Sequence, residues 1–166
     1  AKAALMSGAK RYREIIDRHG LSGLQRQALS WVPDGARVLE LGCAAGSIGE
    51  LLMQLKGCRV TGAEIDPDAA AEARGRGLEV HVGSLDDAAF RESIRGPFDV
   101  VMATDVLEHL TEPQDTLAQI RRWLAPDGRA IVAVPNVATW SMRASLLRGD
   151  FTYQDHGILD RTHLRF

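Results

Sequence analysis

The sequence predicts an α/β fold in which a mostly parallel sheet is flanked by helices. Short apolar runs alternate along the chain with segments whose apolar residues recur at helical spacing, as in βαβ units. The run Val100–Ala103 is apolar at every position, as expected of a central parallel strand covered on both faces. Another run, Val38–Leu41, ends in a glycine-bearing turn from which a helical pattern begins at once. These observations predict a single parallel sheet.

The elements follow in order along the 166 residues. Two helices precede the sheet, over residues 9–19 and Ser22–Trp31, and the turn at Pro33–Gly35 leads into the first strand. The predicted strands are Arg37–Leu41, Arg59–Ile65, Leu78–Val82, Phe98–Ala103 and Arg129–Val134. The predicted helices between them are Ser47–Lys56, Pro67–Arg76, Asp86–Ile94 and Pro113–Leu124.

Two of these helices carry further signals. Asp66 is a good N-cap and Pro67 suits a first helical position. The helix Pro113–Leu124 is expected to end at Asp127-Gly128. Its predicted inner stripe consists of Leu117, Ile120 and Leu124.

Composition excludes several classes of protein. The sequence is 45% hydrophobic and 25% charged, as in ordinary globular domains, and its net charge of −2 argues against a nucleic-acid partner. Cys43 and Cys58 lack metal-type spacing and predict buried, reduced thiols. No signal peptide or apolar run of membrane-spanning length is present, so we expect no membrane partner and a cytoplasmic location.

The turn after the first strand favours one class of ligand. A dinucleotide fingerprint beginning at Gly42 requires glycine at positions 44 and 47, where Ala44 and Ser47 stand instead. The pattern from Glu40 through Gly42 to Gly46 resembles motif I of the class I S-adenosylmethionine-dependent methyltransferases. The resemblance implies a Rossmann-like fold. It also implies that the cofactor is S-adenosylmethionine, bound by Glu40, Gly42, Cys43, Ala44 and Gly46.

Two further strand ends resemble cofactor-binding positions of that family. Val60–Glu64 matches the pattern V-x-G-x-D/E, which implies that Glu64 holds the ribose hydroxyls and that Ile65 packs on the adenine. The usual aspartate after the third strand is replaced by Ser84. The resemblance therefore places Ser84 and Leu85 at the adenine, with Asp86 as an alternative acceptor for its amino group.

The segment Thr104–Leu110 resembles the family's D-V-L-E-H-L motif. This implies that Thr104 lies beside the methionine moiety. Asp105, His109 and His163 are candidate catalytic bases, although His109 could equally be a packing residue. Some family members bind magnesium through E-x-x-E-H and a distant histidine. A comparable set here would be Asp105, Glu108, His109 and His156, but the aspartate is shorter than that pattern's glutamate. We predict no metal.

The C-terminal motifs P-N-V-A-x-W and G-I-L-D-R-T-H-L-R-F resemble a subgroup of bacterial methyltransferases. Its members are related to the methionine biosynthesis protein MetW and are often met beside glycosyltransferases. The resemblance implies that this segment shapes the acceptor pocket. The candidate acceptor-side residues are Asn136, Trp140, His156, Arg161 and His163. The alternatives are purely structural roles. Trp140 would lie in the core, and Asp160 and Arg161 would form a surface ion pair.

The resemblance implies one methyltransferase domain over residues 1–166. N-terminal helices occupy 1–33, the Rossmann-like core 36–135 and a truncated acceptor-side segment 136–166, with the family's C-terminal hairpin expected to be absent. The expected activity is methyl transfer to a small-molecule or glycan-type acceptor, at a hydroxyl. The alternatives are a non-catalytic S-adenosylmethionine-binding domain, a MetW-like partner protein and, more distantly, a nicotinamide-dependent oxidoreductase. Neither the acceptor nor the oligomeric state is predicted.

Overall fold

A parallel sheet forms the centre of the computed structural model, which describes residues 20–155 and 157–165. The helix predicted at 9–19 and the candidate residue His156 lie outside the described residues. The strands are β1 (Arg37–Leu41), β2 (Arg59–Glu64), β3 (Glu79–Val82), β4 (Phe98–Thr104) and β5 (Leu124–Ala133). Within the described part they pair in the order β3-β2-β1-β4-β5, and every pairing is parallel. The predicted parallel sheet is confirmed.

Helices alternate with the strands, as the sequence predicted. They are α1 (Gly23–Trp31), α2 (Ser47–Lys56), α3 (Pro67–Gly75), α4 (Ala88–Ser93), α5 (Pro113–Trp123) and α6 (Trp140–Leu147). A short 3₁₀ helix, Leu107–His109, follows β4. The cap at α3 is confirmed, because the Asp66 side chain accepts hydrogen bonds from the Asp68 and Ala69 N–H groups ahead of Pro67.

The core lies on both faces of the sheet. Val38 and Val100 belong to one apolar cluster, and Leu39 and Val101 belong to the other, because successive side chains of a strand point to opposite faces. Each residue of Val100–Ala103 is at most 1% exposed, which confirms the prediction of a strand covered on both sides.

The inner face of α5 differs from the prediction. Leu117 is 45% exposed, whereas Thr116 is fully buried and its Oγ1 donates a hydrogen bond to the Leu85 carbonyl oxygen over 3.4 Å. Burial of a hydroxyl is tolerated here because it has a hydrogen-bond partner. Ile120 is buried as predicted, but Thr116 and Trp123 complete the buried stripe in place of Leu117 and Leu124.

The boundary between α5 and β5 also differs from the prediction. The chain becomes extended at Leu124, which pairs with Phe98, whereas the expected strand begins at Arg129, which pairs with Val100. The residues around Asp127-Gly128 form an irregularity inside β5 instead of the end of the helix. Pairing with β4 therefore overrides the turn signal.

Both thiols are buried and free, as predicted: Cys43 is 4% exposed and Cys58 is 6% exposed. Among the helices of the described residues, none has the length and apolar character needed to cross a membrane.

Candidate functional site

Two adjoining cavities lie at the edge of the sheet where the strands end. The strand-end cavity has a volume of about 240 Å³. It is lined by Gly42, Ala63, Glu64, Ile65, Gly83, Ser84, Leu85, Asp86, Asp105, Val106, His109 and Leu110. The C-terminal cavity, of about 420 Å³, is lined by Asp105, Glu108, His109, Pro135, Gly157, Ile158, Asp160 and His163. Ligands of open α/β sheets bind at this edge.

The turn after β1 requires glycine at its first position. Gly42 has a φ of +64°, and a Cβ added there would lie 2.7 Å from Val106 Cγ2. The Gly42 N–H donates a hydrogen bond to the Ala63 carbonyl oxygen over 2.8 Å, which ties the turn to the end of β2. The two bonded residues, Gly42 and Ala63, both line the strand-end cavity.

Glu64, at the end of β2, is a buried carboxylate with several hydrogen-bond donors around it. Its Oε2 accepts from the Ala44 N–H over 2.8 Å, and its Oε1 accepts from the Ile65 and Asp66 N–H groups over 2.9 Å each. A carboxylate has about four acceptor sites. Glu64 therefore keeps capacity for a further donor from a ligand, on a side chain that three backbone groups hold in place.

Several apolar side chains also line the strand-end cavity. Ile65 is 67% exposed beside the cavity, and Leu85, Val106 and Leu110 line it as well. An exposed aliphatic side chain beside a cavity is a suitable surface for a flat aromatic ring.

Ser84 and Asp86, the alternative acceptors for the adenine amino group, both line the strand-end cavity. Ser84 Oγ accepts a hydrogen bond from the Asp86 N–H over 3.2 Å, and Asp86 Oδ1 accepts one from the Thr111 N–H over 3.0 Å. Both oxygens can accept more than one hydrogen bond, so the choice between them stays a prediction.

Some of the predicted cofactor residues do not line this cavity. They are Glu40, Cys43, Ala44, Gly46 and Thr104. Ala44 contributes its N–H to Glu64, and Cys43 is buried with its Sγ against Gly62. Gly46, with a φ of +79°, stands immediately before α2. Contact between these five residues and a cofactor remains a prediction.

Glu40 lies beneath the turn, on the face of β1 that packs against α2. It is 5% exposed, and among the described residues its Oε2 has no hydrogen-bond partner. Burial raises the pKa of the Glu40 carboxyl to about 8. A hydrogen bond from the Gly49 N–H lowers this pKa by a smaller amount. Glu40 therefore lies against α2 at Gly49, and its burial favours the protonated form of the carboxyl.

The two cavities meet at Asp105 and His109, which line both of them. Asp105 follows β4 with a φ of +57°, a conformation that non-glycine residues rarely adopt. Its N–H donates a hydrogen bond to the Ala133 carbonyl oxygen over 3.2 Å. An unusual backbone conformation thus places an acidic side chain where the two cavities join.

The His109 ring is oriented by the C-terminal segment. Its Nδ1 lies 3.3 Å from the Thr162 carbonyl oxygen and 3.0 Å from Thr162 Oγ1. The Thr162 hydroxyl donates to Asp160 Oδ1 over 2.6 Å, and the carbonyl can only accept, so Nδ1 carries the hydrogen. The lone pair of the neutral ring therefore stands on Nε2. Sequence reasoning missed Thr162 and Asp160 in this role, because they follow His109 by more than 50 positions.

The C-terminal segment is anchored directly to the 3₁₀ helix that carries His109. The Leu164 N–H donates to the Glu108 carbonyl oxygen over 2.7 Å. The Arg165 guanidinium donates to the Leu110 and Thr111 carbonyl oxygens over 2.8 and 2.6 Å. These bonds bring His163 to the C-terminal cavity, whose far wall the same segment forms.

Glu108 is buried in this anchored region with unmet hydrogen-bonding capacity. The residue is 2% exposed, and neither carboxylate oxygen has a hydrogen-bond partner in the described part of the chain. Burial raises the pKa of the Glu108 carboxyl, and the Asp105 charge adds to this rise.

Of the acceptor-side candidates in the described residues, His163 lines the C-terminal cavity, whereas Asn136, Trp140 and Arg161 do not. Asn136 Oδ1 accepts from the Ala138 N–H over 2.8 Å. Trp140 is 80% exposed, so its alternative assignment to the core is wrong.

The alternative surface ion pair between Asp160 and Arg161 is also not formed. Arg161 Nε lies 3.5 Å from Asp155 Oδ1 instead. Asp160 accepts hydrogen bonds from both the N–H and the hydroxyl of Thr162.

The groups around the strand-end cavity have the chemistry that S-adenosylmethionine would require. Glu64 presents a carboxylate held by the backbone, Ile65 presents an apolar surface, and Gly42 lines the cavity without a side chain. The wall residues Ala63, Val106 and Leu110 were not predicted as site residues, because small and aliphatic side chains carry no chemical signature.

Comparison with known proteins identifies the family. The family model described as "Methyltransferase domain" matches residues 10–165. The Ubiquinone biosynthesis O-methyltransferase of Xanthomonas oryzae pv. oryzae (strain PXO99A) is 33% identical over 108 residues, which cover 61% of this chain and 44% of the relative. The enzyme of the same name from Caulobacter sp. (strain K31) is 32% identical over 127 residues, covering 74% and 50%.

Solved structures agree with this result. A TehB-like SAM-dependent methyltransferase from Corynebacterium glutamicum matches with a TM-score of 0.58 at 31% identity, covering 75% of this chain and 68% of that one. These matches confirm the Rossmann-like fold. The chain spans about half the length of the curated relatives that it matches. It belongs to the methyltransferase domain family, as a class I domain whose cofactor is S-adenosylmethionine.

Proposed function

We propose that this domain transfers a methyl group from S-adenosylmethionine to a hydroxyl of a small-molecule or glycan-type acceptor. The cofactor would occupy the strand-end cavity and the acceptor the C-terminal cavity. The observation that carries the proposal is that Asp105 and His109 line both cavities. Methyl transfer requires a donor and an acceptor to meet at one point, and these two residues mark that point.

The cofactor is assigned to the residues around the strand-end cavity. Glu64 accepts from the ribose hydroxyls, Ile65 packs on the adenine, and Ser84 and Leu85 contact its edge. The Gly42 turn and Thr104 flank the methionine moiety. The proposal is supported by the positions of Gly42, Glu64, Ile65, Ser84 and Leu85 in the cavity lining.

The reaction is an in-line displacement at carbon. The acceptor oxygen attacks the methyl carbon, the carbon–sulfur bond breaks, and its electron pair returns to sulfur, giving S-adenosylhomocysteine. The acceptor hydroxyl loses its proton to a base. We favour His109 over His163 because it lines both cavities, whereas His163 lines only the C-terminal one. Thr162 holds the Nδ1 hydrogen of His109, which leaves the lone pair on Nε2. Holding oxygen, methyl and sulfur in line supplies much of the acceleration.

Two observations support an oxygen acceptor. The curated relatives are named O-methyltransferases. The C-terminal motifs resemble the MetW-like subgroup often met beside glycosyltransferases, and we place the chain in that subgroup on the basis of Pro135–Trp140 and 157–166. The two observations favour different acceptors, a small molecule and a glycan, and the hydroxyl is the group that both would share.

The test is a turnover assay. The protein is incubated with S-adenosylmethionine and a panel of phenols, catechols, aliphatic alcohols and oligosaccharides, and both S-adenosylhomocysteine and the methylated product are measured by mass spectrometry. We expect matched formation of the two with at least one hydroxyl acceptor. Tight S-adenosylhomocysteine binding in calorimetry without turnover on any acceptor would contradict the proposal and favour the non-catalytic alternative.

A further inference from the structure

The C-terminal cavity is lined by three carboxylates and, among the described residues, by no lysine or arginine. The carboxylates belong to Asp105, Glu108 and Asp160, and the other ionisable side chains in the lining are the imidazoles of His109 and His163. An imidazole carries no permanent positive charge. The described wall of this cavity therefore carries an excess of negative charge.

The Glu108 carboxylate shows most directly that a positive group is missing. The residue is 2% exposed, and among residues 20–155 and 157–165 neither of its oxygens has a hydrogen-bond partner. One of these oxygens lies within 4.8 Å of a ring nitrogen of His109 and of one of His163, so the carboxylate faces the side of the cavity that the two rings form. Burying a carboxylate without a partner is costly. A positive charge in the cavity would reduce that cost.

The other two carboxylates also have room for a ligand. The exposed Asp105 side chain has no hydrogen-bond or ion-pair partner within the described chain. Asp160 Oδ1 accepts from the N–H and the hydroxyl of Thr162 over 2.8 and 2.6 Å, and these bonds hold the pKa of the Asp160 carboxyl below its usual range. Asp160 is therefore ionised at neutral pH, and its Oδ2 is available to a further donor.

The arginines of the C-terminal segment do not supply the missing charge, because they are engaged elsewhere. Arg161 pairs with Asp155, and the Arg165 guanidinium donates to the Leu110 and Thr111 carbonyl oxygens. Neither arginine lines the C-terminal cavity.

The positive sulfonium of S-adenosylmethionine does not account for the charge either. Glu108 and Asp160 line the C-terminal cavity and do not line the strand-end cavity assigned to the cofactor. The remaining source of positive charge at these two side chains is the molecule that occupies the C-terminal cavity.

We propose that the acceptor carries a positively charged amine beside its hydroxyl, and that Asp105, Glu108 and Asp160 select it by charge. This inference rests on the proposed function, which places the acceptor in the C-terminal cavity. An ammonium group has three N–H donors and no acceptor, and a carboxylate only accepts, so the two are complementary. The acceptor class narrows to amino alcohols, aminoalkyl phenols and amino sugars. A phosphate or carboxylate on the acceptor would be repelled.

The test compares probes that differ by one ammonium group. The protein, saturated with S-adenosylhomocysteine, is titrated in a calorimeter with tyramine against 4-ethylphenol and with glucosamine against glucose. We expect the amine of at least one pair to bind at least about tenfold more tightly than its neutral partner, as charged hydrogen bonds typically contribute.

The variants E108Q and D160N each remove one negative charge from the cavity wall, and both should lose most of the preference for the amine. D127N is the matched control, because Asp127 is an exposed aspartate of β5 that does not line the cavity. Its preference for the amine should equal that of the wild type.

The inference is overturned if no amine binds more tightly than its neutral partner. It is also overturned if E108Q and D160N, with folds verified by circular dichroism, keep the full preference of the wild type. Methylation of neutral hydroxyls without any preference for amines would likewise overturn it and leave the proposed function intact. Selective amine binding without a methylated product would support the charged site and contradict the proposed transfer.

Discussion

The strand-end cavity and the C-terminal cavity each contain a buried glutamate, and the two glutamates have opposite surroundings. Glu64 accepts three backbone hydrogen bonds from the turn and strand end around it. Glu108 is buried more deeply and, within the described chain, its carboxylate accepts none. The first carboxylate is held in position by the backbone, and the second has no such support.

We relate this difference between the two glutamates to two stages of the proposed catalysis, cofactor binding and methyl transfer. A carboxylate held by several N–H groups is positioned before the ligand arrives, so it can bind with little reorganisation. A buried carboxylate without partners has a raised pKa and takes its final state only with a proton or a cation. We expect substitutions at the strand-end cavity to change cofactor affinity and substitutions at the C-terminal cavity to change turnover.

The largest expected effect tests that separation on the acceptor side. Replacing His109 with glutamine removes the proposed base, and kcat should fall by about 10²- to 10⁴-fold, as general-base catalysis typically contributes. Affinity for S-adenosylhomocysteine, measured by calorimetry, should change little. H81Q serves as the control histidine. An unchanged kcat in H109Q would assign the base to Asp105 or His163.

A smaller effect is expected on the cofactor side. Glu64→Ala removes the proposed hydrogen-bond acceptor for the ribose and leaves the Ala44, Ile65 and Asp66 N–H groups without their acceptor. Loss of hydrogen bonds to a charged group predicts roughly 100-fold weaker S-adenosylhomocysteine binding.

The matched control is Glu72→Ala, on the exposed face of α3. If E64A and E72A bind S-adenosylhomocysteine with equal affinity, Glu64 does not contact the cofactor. The proposed difference in role between Glu64 and Glu108 would then be wrong.

Glu40 predicts a pH dependence of stability. Its folded pKa of about 8 lies above the value of 4.5 expected for the unfolded chain, so the folded state holds a proton that the unfolded state releases. The free energy of unfolding should therefore decline as pH rises from about 4.5 to about 8. Glu40→Gln removes this contribution, and at pH 8 we expect the variant to be about 1–3 kcal/mol more stable.

Urea unfolding of the wild type and E40Q at several pH values measures this effect, with E72Q as the control for an exposed glutamate. Parallel stability profiles for the wild type and E40Q would show that Glu40 is ionised in the folded protein, contrary to its burial.

The smallest effect is expected at Arg161. Its ion pair with Asp155 is 3.5 Å long and joins two exposed side chains, so Arg161→Ala should change the free energy of unfolding by less than about 0.5 kcal/mol. Because Arg161 does not line the C-terminal cavity, we also expect turnover close to that of the wild type. A large rise in the acceptor KM of R161A would show that Arg161 contributes to acceptor binding.

Local sequence signals were sufficient to predict much of the sheet. The bounds of β1 and α2 match the prediction at both ends, because an apolar run, a glycine turn and a helical stripe follow one another without ambiguity. The same kind of signal failed for Leu117 and for the start of β5. In those cases tertiary packing and strand pairing decided the outcome, and neither can be read from a short stretch of chain.

The residues of the candidate site divide in the same way into those that the sequence predicted and those that it did not. Gly42, Glu64, Ile65, Ser84 and Leu85 were predicted from motifs and all line the strand-end cavity. The roles of Thr162 and Asp160 toward His109 were not predicted. They depend on a segment that returns to the 3₁₀ helix from more than 50 residues away, and no spacing in the sequence reports that return.

The return of the C-terminal segment has a consequence for how the domain can diversify. Residues 157–163 supply much of the wall of the C-terminal cavity, while the ends of the strands supply the other cavity. The anchoring hydrogen bonds at Leu164 and Arg165 run to backbone carbonyls, so they are indifferent to the side chains at the positions they bind. On the proposed function, substitutions in residues 157–163 can therefore change the acceptor while the strand ends keep the methyl donor.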